Sequence, residues 1–209
     1  MKIVIFGATG SVGQQLLDQA LARGHNVSAF TRNPAKIKKK HQNLTIMEGD
    51  ILNVPAVRFA VRGQDAVFCT LGMPLMNNEG LRAKGTKNII RAMESLGVKR
   101  FICLSGLGAG DSWNVLPFHY KYLIFPLLMR RVYADHERQE GHIKNSQSDW
   151  TIVRPGNFTD GPHTQSYRHG FTKPDASLKL SVSRADVADF MVKQLTDDSY
   201  LHKAASVSY

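Results

Sequence analysis

Acidic side chains are scarce in this 209-residue chain: 17 Asp and Glu stand against 27 Lys and Arg, a formal charge of +10. The surplus points to nucleic acid, an acidic membrane face or anionic small molecules, or to nothing beyond a solvated surface. No recognition motif or aromatic–basic alternation accompanies it, so nucleic-acid binding is not expected. Cysteine is nearly missing too. Cys69 and Cys103 each sit in an apolar, strand-like run with no metal-ligand spacing around them. Disulfide scaffolds and metal sites drop out, and buried thiols in a reducing compartment are expected. Long apolar runs are absent: the stretch 116–129 is broken by Pro117, His119, Lys121 and Pro126, short of the roughly 20 apolar residues of a spanning helix. Strand-like sequence begins at Lys2, which leaves no room for a secretory signal; a cytoplasmic location without a membrane span is expected. Repeats and low-complexity tracts are also lacking, and 43% hydrophobic with 21% charged residues excludes a disordered chain.

What is present is alternation. Apolar, β-branched runs at 3–6, 27–30, 44–48, 66–71, 100–104 and 150–153 read as strands, with a last one around 205–207. Helical spacing marks 12–23, 53–61, 78–96 and 186–195, with Gly24, Gly63 and Gly97 placed to end the first three and Ser183 to cap the fourth. Strands alternating with helices predict right-handed βαβ units: a Rossmann-type, doubly wound parallel sheet with helices on both faces, in a single domain spanning 1–209. Stretches 113–133 and 158–182 fall outside the repeat and are expected to elaborate the substrate side. Ligands of such sheets bind beyond the carboxyl ends of the strands. The groups that follow the strands (Gly7-Ala8-Thr9-Gly10, Thr31-Arg32, Gly49-Asp50, Gly72, Ser105 and Arg154-Pro155-Gly156-Asn157) are predicted to share one crevice.

Gly7, Gly10 and Gly13 lie between the first strand and the first helix. In a dinucleotide site the first glycine allows the tight turn, the second the approach of a pyrophosphate, and the third close packing of helix on sheet. The helix N-terminus adds free N–H groups. An NAD site carries Asp or Glu after the second strand to hold the ribose 2′-hydroxyl; Arg32 stands there instead, nineteen residues past Gly13. A guanidinium cannot accept from a hydroxyl but binds a 2′-phosphate through paired hydrogen bonds. NADP(H) is therefore the predicted cofactor, with Lys36 and Lys38 adding positive potential and Lys39 and Lys40 left as solvated loop.

The segments IFGATGSVG, EGDI, GQDAVFCTLG, GTKNIIRAMESLGVKRFICLS, DWTIVRPGNFTD and SRADVADFMVKQL resemble the atypical short-chain dehydrogenases/reductases over nearly the whole chain. Within that group the chain is similar to the NAD(P)-binding, NmrA-like branch and to the biliverdin reductase B (flavin reductase) type. The resemblance implies that Thr9, Gly10, Ser11, Val12 and Arg32 hold phosphates and that Asp50 and Ile51 flank the adenine. It places Leu71 and Gly72 beside the ribose, and Ser105, Pro155, Gly156 and Asn157 around the nicotinamide. The wider superfamily uses Tyr-x-x-x-Lys, but here Tyr133 is followed four residues on by Glu137 and Tyr120 by Ile124. His136 aligns where similar chains carry Lys. Reductases of the biliverdin reductase B type work without that pair, because an extended conjugated acceptor delocalises charge and solvent supplies the proton.

Ser105 and His136 are thus the catalytic candidates, Ser105 orienting the acceptor or relaying a proton. The alternatives are a strand-end cap for Ser105 and a solvated helix position for His136. The aromatic stretch 113–129 lines an acceptor site, covers it, forms a subunit contact or simply packs on the sheet. Arg130, Arg131, Arg168 or Arg184 beside it would suit a planar anionic acceptor. Two functions follow: an NADPH-dependent reductase of flavins (FMN or FAD as substrate), biliverdin-like tetrapyrroles or quinones, and an NADP(H)-sensing regulator of the NmrA type. Either is expected as a monomer or homodimer.

Overall fold

The computed structural model describes residues 1–72 and 80–209, with backbone alone at 124–126 and 128. The chain runs β1 (Lys2–Phe6), α1 (Ser11–Ala22), β2 (Asn26–Thr31), β3 (Leu44–Glu48), α2 (Val54–Val61), β4 (Ala66–Cys69), α3 (Leu81–Leu96) and β5 (Arg100–Leu104). A 3₁₀ turn (Gly110–Val115) and a wide π-helical segment (Tyr120–Met129) precede α4 (Arg130–Lys144). Then come β6 (Asp149–Pro155), the short strands β7 (Asn157–Thr159), β8 (Arg168–His169) and β9 (Ser181–Ser183), α5 (Arg184–Lys193) and β10 (Lys203–Ser208).

Eight strands form one sheet in the order β3-β2-β1-β4-β5-β6-β10-β8, parallel except where β8 pairs antiparallel with β10; β7 and β9 make a separate parallel pair. Strand order therefore reverses between β1 and β4, the doubly wound arrangement whose ligand crevice opens at that switch. Side chains alternate across the sheet as the period of two demands. On β1, Ile3 and Ile5 pack with α1 and α5, while Val4 and Phe6 pack with α2 and α3. All four are fully buried, each burial stabilising the sheet by about 1.5–3 kcal/mol.

The helix stops follow the glycines. After α1, Gly24 takes φ +77°, and the amides of Gly24 and His25 close onto the carbonyls of Leu21 and Ala20, a Schellman ending. The expected strand at 66–71 stops at Cys69, although the Thr70 amide still bonds to the Phe6 carbonyl. The expected start of α3 at residue 78 lies outside the described residues; the described helix begins at Leu81. Cys69 and Cys103 are in-register neighbours on β4 and β5, both free and fully buried.

The stretch 158–182 is anchored from beneath by two buried carboxylates on α5. Asp186 accepts from the Thr164 and Gln165 amides and from the hydroxyls of Thr164 and Tyr209. Asp189 accepts from Tyr167 and pairs with Arg23 and Lys193. Polar satisfaction on this scale holds an otherwise irregular segment in place.

Candidate functional site

Two cavities open at the carboxyl ends of the strands, where a single crevice was expected. The first, about 370 Å³, lies over β1, β2 and β4 and is lined by residues including Gly7, Thr9, Gly10, Thr31, Arg32, Lys36, Gly49, Ile51, Leu71 and Gly72. The second, about 290 Å³, lies over β5 and β6 and is lined by residues including Arg82, Ser105, Tyr120, Tyr133, His136, Pro155, Gly156 and Asn157. Arg82 of the second cavity contacts the wall of the first, its Nε donating to the Leu71 carbonyl at 3.2 Å.

The first cavity is built for close approach. Gly7 adopts φ +89°, and a Cβ there would lie 2.5 Å from the Thr70 carbonyl oxygen; a Cβ on Gly13 would collide with the Gly7 carbonyl. Gly10 stands at the N-cap of α1 with no side-chain cap, so the first-turn amides face outward for an anion. After β2 the chain is turned by its own side chains: the Thr31 hydroxyl accepts from the Asn33 amide, the Asn33 carboxamide from the Ala35 amide, and Pro34 starts a single 3₁₀ turn. This turn projects Arg32, which is exposed and makes no hydrogen bond or ion pair among the described residues. An uncapped helix end, a glycine cradle that no Cβ can enter and an unpaired guanidinium fit the phosphates of a dinucleotide.

Several expected contacts fall elsewhere. Ser11 is exposed on the first turn of α1, while Val12 and Gly13 are buried beneath the loop; what the three present at the uncapped helix end is backbone amide rather than side chain. Asp50 is not a lining residue either; its carboxylate accepts from the Leu52 amide at 2.8 Å, because an Asx turn starts the approach to α2. Lys38 does not line the cavity, and Lys39 is not simply solvated but pairs with Asp18. Arg154, expected in the crevice, is 1% exposed and turned into the protein.

Buried Arg154 leads to a residue the sequence did not single out. Its Nε and one terminal nitrogen bind both oxygens of Glu140, at 2.9 and 2.6 Å, and the other terminal nitrogen binds Asp111 at 2.6 Å. Ser105 Oγ donates to Glu140 Oε1 at 2.8 Å and lies 3.3 Å from His136 Nδ1. With the serine proton committed to the carboxylate, the remaining pairing is His136 Nδ1–H donating to Ser105 Oγ, which leaves Nε2 as an acceptor. Burial alone would raise the Glu140 carboxyl, but Arg154 and the Ser105 hydroxyl hold it below the ordinary carboxylate value. Burial, reinforced by the Arg82 charge, lowers His136 to about 4, so the ring is neutral at physiological pH. Burial also raises the Tyr133 phenol above its usual value, and that hydroxyl donates to the Leu107 carbonyl at 2.7 Å. Sequence spacing carried a partial signal: Tyr133, His136 and Glu140 recur three and four apart, one face of α4.

The stretch 113–133 divides its roles. Leu116, Tyr120, Met129, Val132 and Tyr133 line the second cavity; Phe118, Tyr122, Leu123 and Leu127 are exposed. From 158–182, Phe158 and Leu180 complete the wall. The arginines expected beside it are engaged or distant: Arg168 pairs with Asp175 and Arg184 with Asp160, and Arg130 and Arg131 are not lining residues. Arg82 is the arginine that reaches the cavity. Among the described residues, no helix is long and apolar enough to cross a membrane and no cluster of metal-ligating side chains occurs.

A doubly wound sheet with a glycine-turned helix N-terminus at its switch point defines a dinucleotide-binding protein. The pattern of the NAD(P)H-binding family matches residues 7–198, and the chain belongs to that family, which is consistent with the resemblance to atypical short-chain dehydrogenases/reductases. An uncharacterised chloroplastic protein of Arabidopsis thaliana is 29% identical over 220 residues, 99% of this chain and 76% of its own. Among solved structures, the oxidoreductase ylbE of Lactococcus lactis superposes with TM-score 0.85 at 23% identity, covering 99% of this chain and 90% of that one. ChuY of Escherichia coli O157:H7, described as an anaerobilin reductase, superposes with TM-score 0.80 at 25% identity, covering 99% and 96%.

Proposed function

We propose that this protein is an NADPH-dependent reductase that transfers hydride to a planar conjugated acceptor in the second cavity. The observation that carries the proposal is the Ser105–His136 pair, buried at the end of β5 and opening onto a cavity whose Arg82 donates to the carbonyl of Leu71, a lining residue of the first cavity. Gly7, Thr9, Gly10 and the α1 amides hold the phosphates, Arg32 and Lys36 the 2′-phosphate, and Ile51, Leu71 and Gly72 the adenosine side. The α1 amides are the N–H groups of Ser11, Val12 and Gly13, and Asp50 shapes the loop before α2 through its turn to Leu52. Pro155, Gly156 and Asn157 border the nicotinamide end, where Asn157 Nδ2 donates to the Tyr120 hydroxyl at 2.9 Å. Bound NADPH supplies the hydride.

The side chains define what else the chemistry needs. Glu140 is held as a carboxylate, Tyr133 keeps its proton on the Leu107 carbonyl, and His136 is neutral, so none of the three is a ready acid at neutral pH. Proton delivery then falls to solvent, which suits an acceptor that spreads the added charge over a conjugated system. His136 Nε2 accepts an N–H of that acceptor, which favours a flavin or a linear tetrapyrrole over a quinone. Ser105 fixes the ring that does so. The likeness to ChuY, described as a reductase, supports the same class.

Purified protein with NADPH and, in turn, FMN, FAD, biliverdin and a quinone tests the proposal through the absorbance of reduced nicotinamide. Oxidation with a flavin or tetrapyrrole is expected. Tight NADPH binding with no oxidation by any acceptor overturns the reductase reading in favour of an NADP(H) sensor.

A further inference from the structure

The second cavity holds one permanent charge among its described lining residues, the guanidinium of Arg82. Its side chain is only 9% exposed. Nε is used on Leu71; Nη1 is sealed from solvent without a hydrogen-bond partner among the described residues, and Nη2, which is not sealed, makes no hydrogen bond among them either. Its nearest anion is Asp135, whose Oδ2 lies 3.9 Å away, beyond hydrogen-bond reach. That carboxylate is already engaged: it is fully buried and caps α3, accepting from the Arg82 and Ala83 backbone amides at 3.2 and 3.3 Å. A buried cation whose counter-ion is shared and distant is costly to leave so, and a ligand anion is the group that completes it.

We propose that Arg82 is the anion receptor of the acceptor cavity: its Nη2, the terminal nitrogen left open, binds a carboxylate or phosphate carried by the acceptor and so selects anionic acceptors over neutral ones with the same ring. The inference rests on the reductase reading for the identity of the cavity. A cofactor phosphate is the other source of the same chemistry. The geometry favours the acceptor, since Arg82 lines the second cavity while the glycine cradle and Arg32 line the first. An anion at this point also screens the Arg82 charge from the His136 ring and draws the planar ligand toward Ser105.

Two probe pairs, FMN with riboflavin and biliverdin with its dimethyl ester, differ in an anionic group at constant chromophore. Calorimetric titration of each into NADP⁺-loaded protein reads binding without turnover. Wild type is expected to prefer the anionic member of at least one pair. Arg82→Met should lose roughly 10- to 100-fold in affinity for that member, with the neutral member within about twofold and NADP⁺ affinity unchanged. Arg82→Lys, which keeps the charge but not the planar fork, should fall between; where Arg82→Met fails to fold, a several-fold loss in Arg82→Lys confined to the anionic member decides. No preference in wild type, equal losses for both members, or a loss confined to NADP⁺ each overturns the proposal, the last by assigning Arg82 to the cofactor. Anion-selective binding without NADPH oxidation keeps this inference and removes the reductase reading instead.

Discussion

Replacing His136 by Gln should flatten the dependence of stability on pH in mildly acidic solution. In the folded protein burial lowers the imidazole to about 4 from its ordinary 6.5. The unfolded chain therefore takes up a proton between those values while the folded protein does not, and stability is lost as pH falls through that window. Two and a half pKa units correspond to a full effect of about 3 kcal/mol, of which about 2 kcal/mol develops between about pH 7 and pH 5. His25 and His142 are also lowered, chiefly by burial, but they titrate alike in both proteins and cancel in the difference. Gln keeps a donor for Ser105 and does not titrate. Urea unfolding at a series of pH values should show wild type losing about 2 kcal/mol more than His136→Gln on acidification. Parallel pH profiles would mean that the ring is not buried neutral against Ser105, and the acceptor role of Nε2 would go with it.

Two further substitutions probe the framework. Glu140→Gln leaves the buried Arg154 with Asp111 alone, whose side chain is 76% exposed; a loss of about 3–5 kcal/mol is expected in thermal or urea unfolding, and one under about 1 kcal/mol would show the pair to be dispensable. Gly13→Ala drives a Cβ into the Gly7 carbonyl, so stability should fall by about 1–3 kcal/mol and NADPH affinity with it, read by nicotinamide fluorescence. Unchanged NADPH affinity in Gly13→Ala would mean that the loop does not shape the cofactor site.

The parts of this protein that were legible in its sequence are those whose signal is local. β1, β4 and β5 carry continuous apolar runs because both faces of a parallel sheet are covered, and Gly24 and Gly97 mark helix ends because only glycine enters the left-handed region cheaply. β7, β8 and β9, of three, two and three residues, exist through pairing with distant strands and leave no periodicity to find. The same holds within the site. Gly7, Gly10, Arg32 and Ser105 follow from their place after a strand. Glu140 and Arg82 take their character from partners elsewhere in the chain: Arg154 meets Glu140 with two hydrogen bonds, while Asp135 stands 3.9 Å from Arg82. Asp50 adds a local detail the motif does not carry: its carboxylate closes a turn on the Leu52 amide two residues on.

Cofactor choice is the most direct measure of the account, because the basic end of the first cavity has no other occupant assigned to it. Calorimetric titration of NADPH and NADH into wild type and Arg32→Glu should show wild type favouring NADPH. The variant should lose roughly 10- to 100-fold for NADPH and far less for NADH. Equal affinity of wild type for the two dinucleotides, or equal losses in the variant, would contradict it.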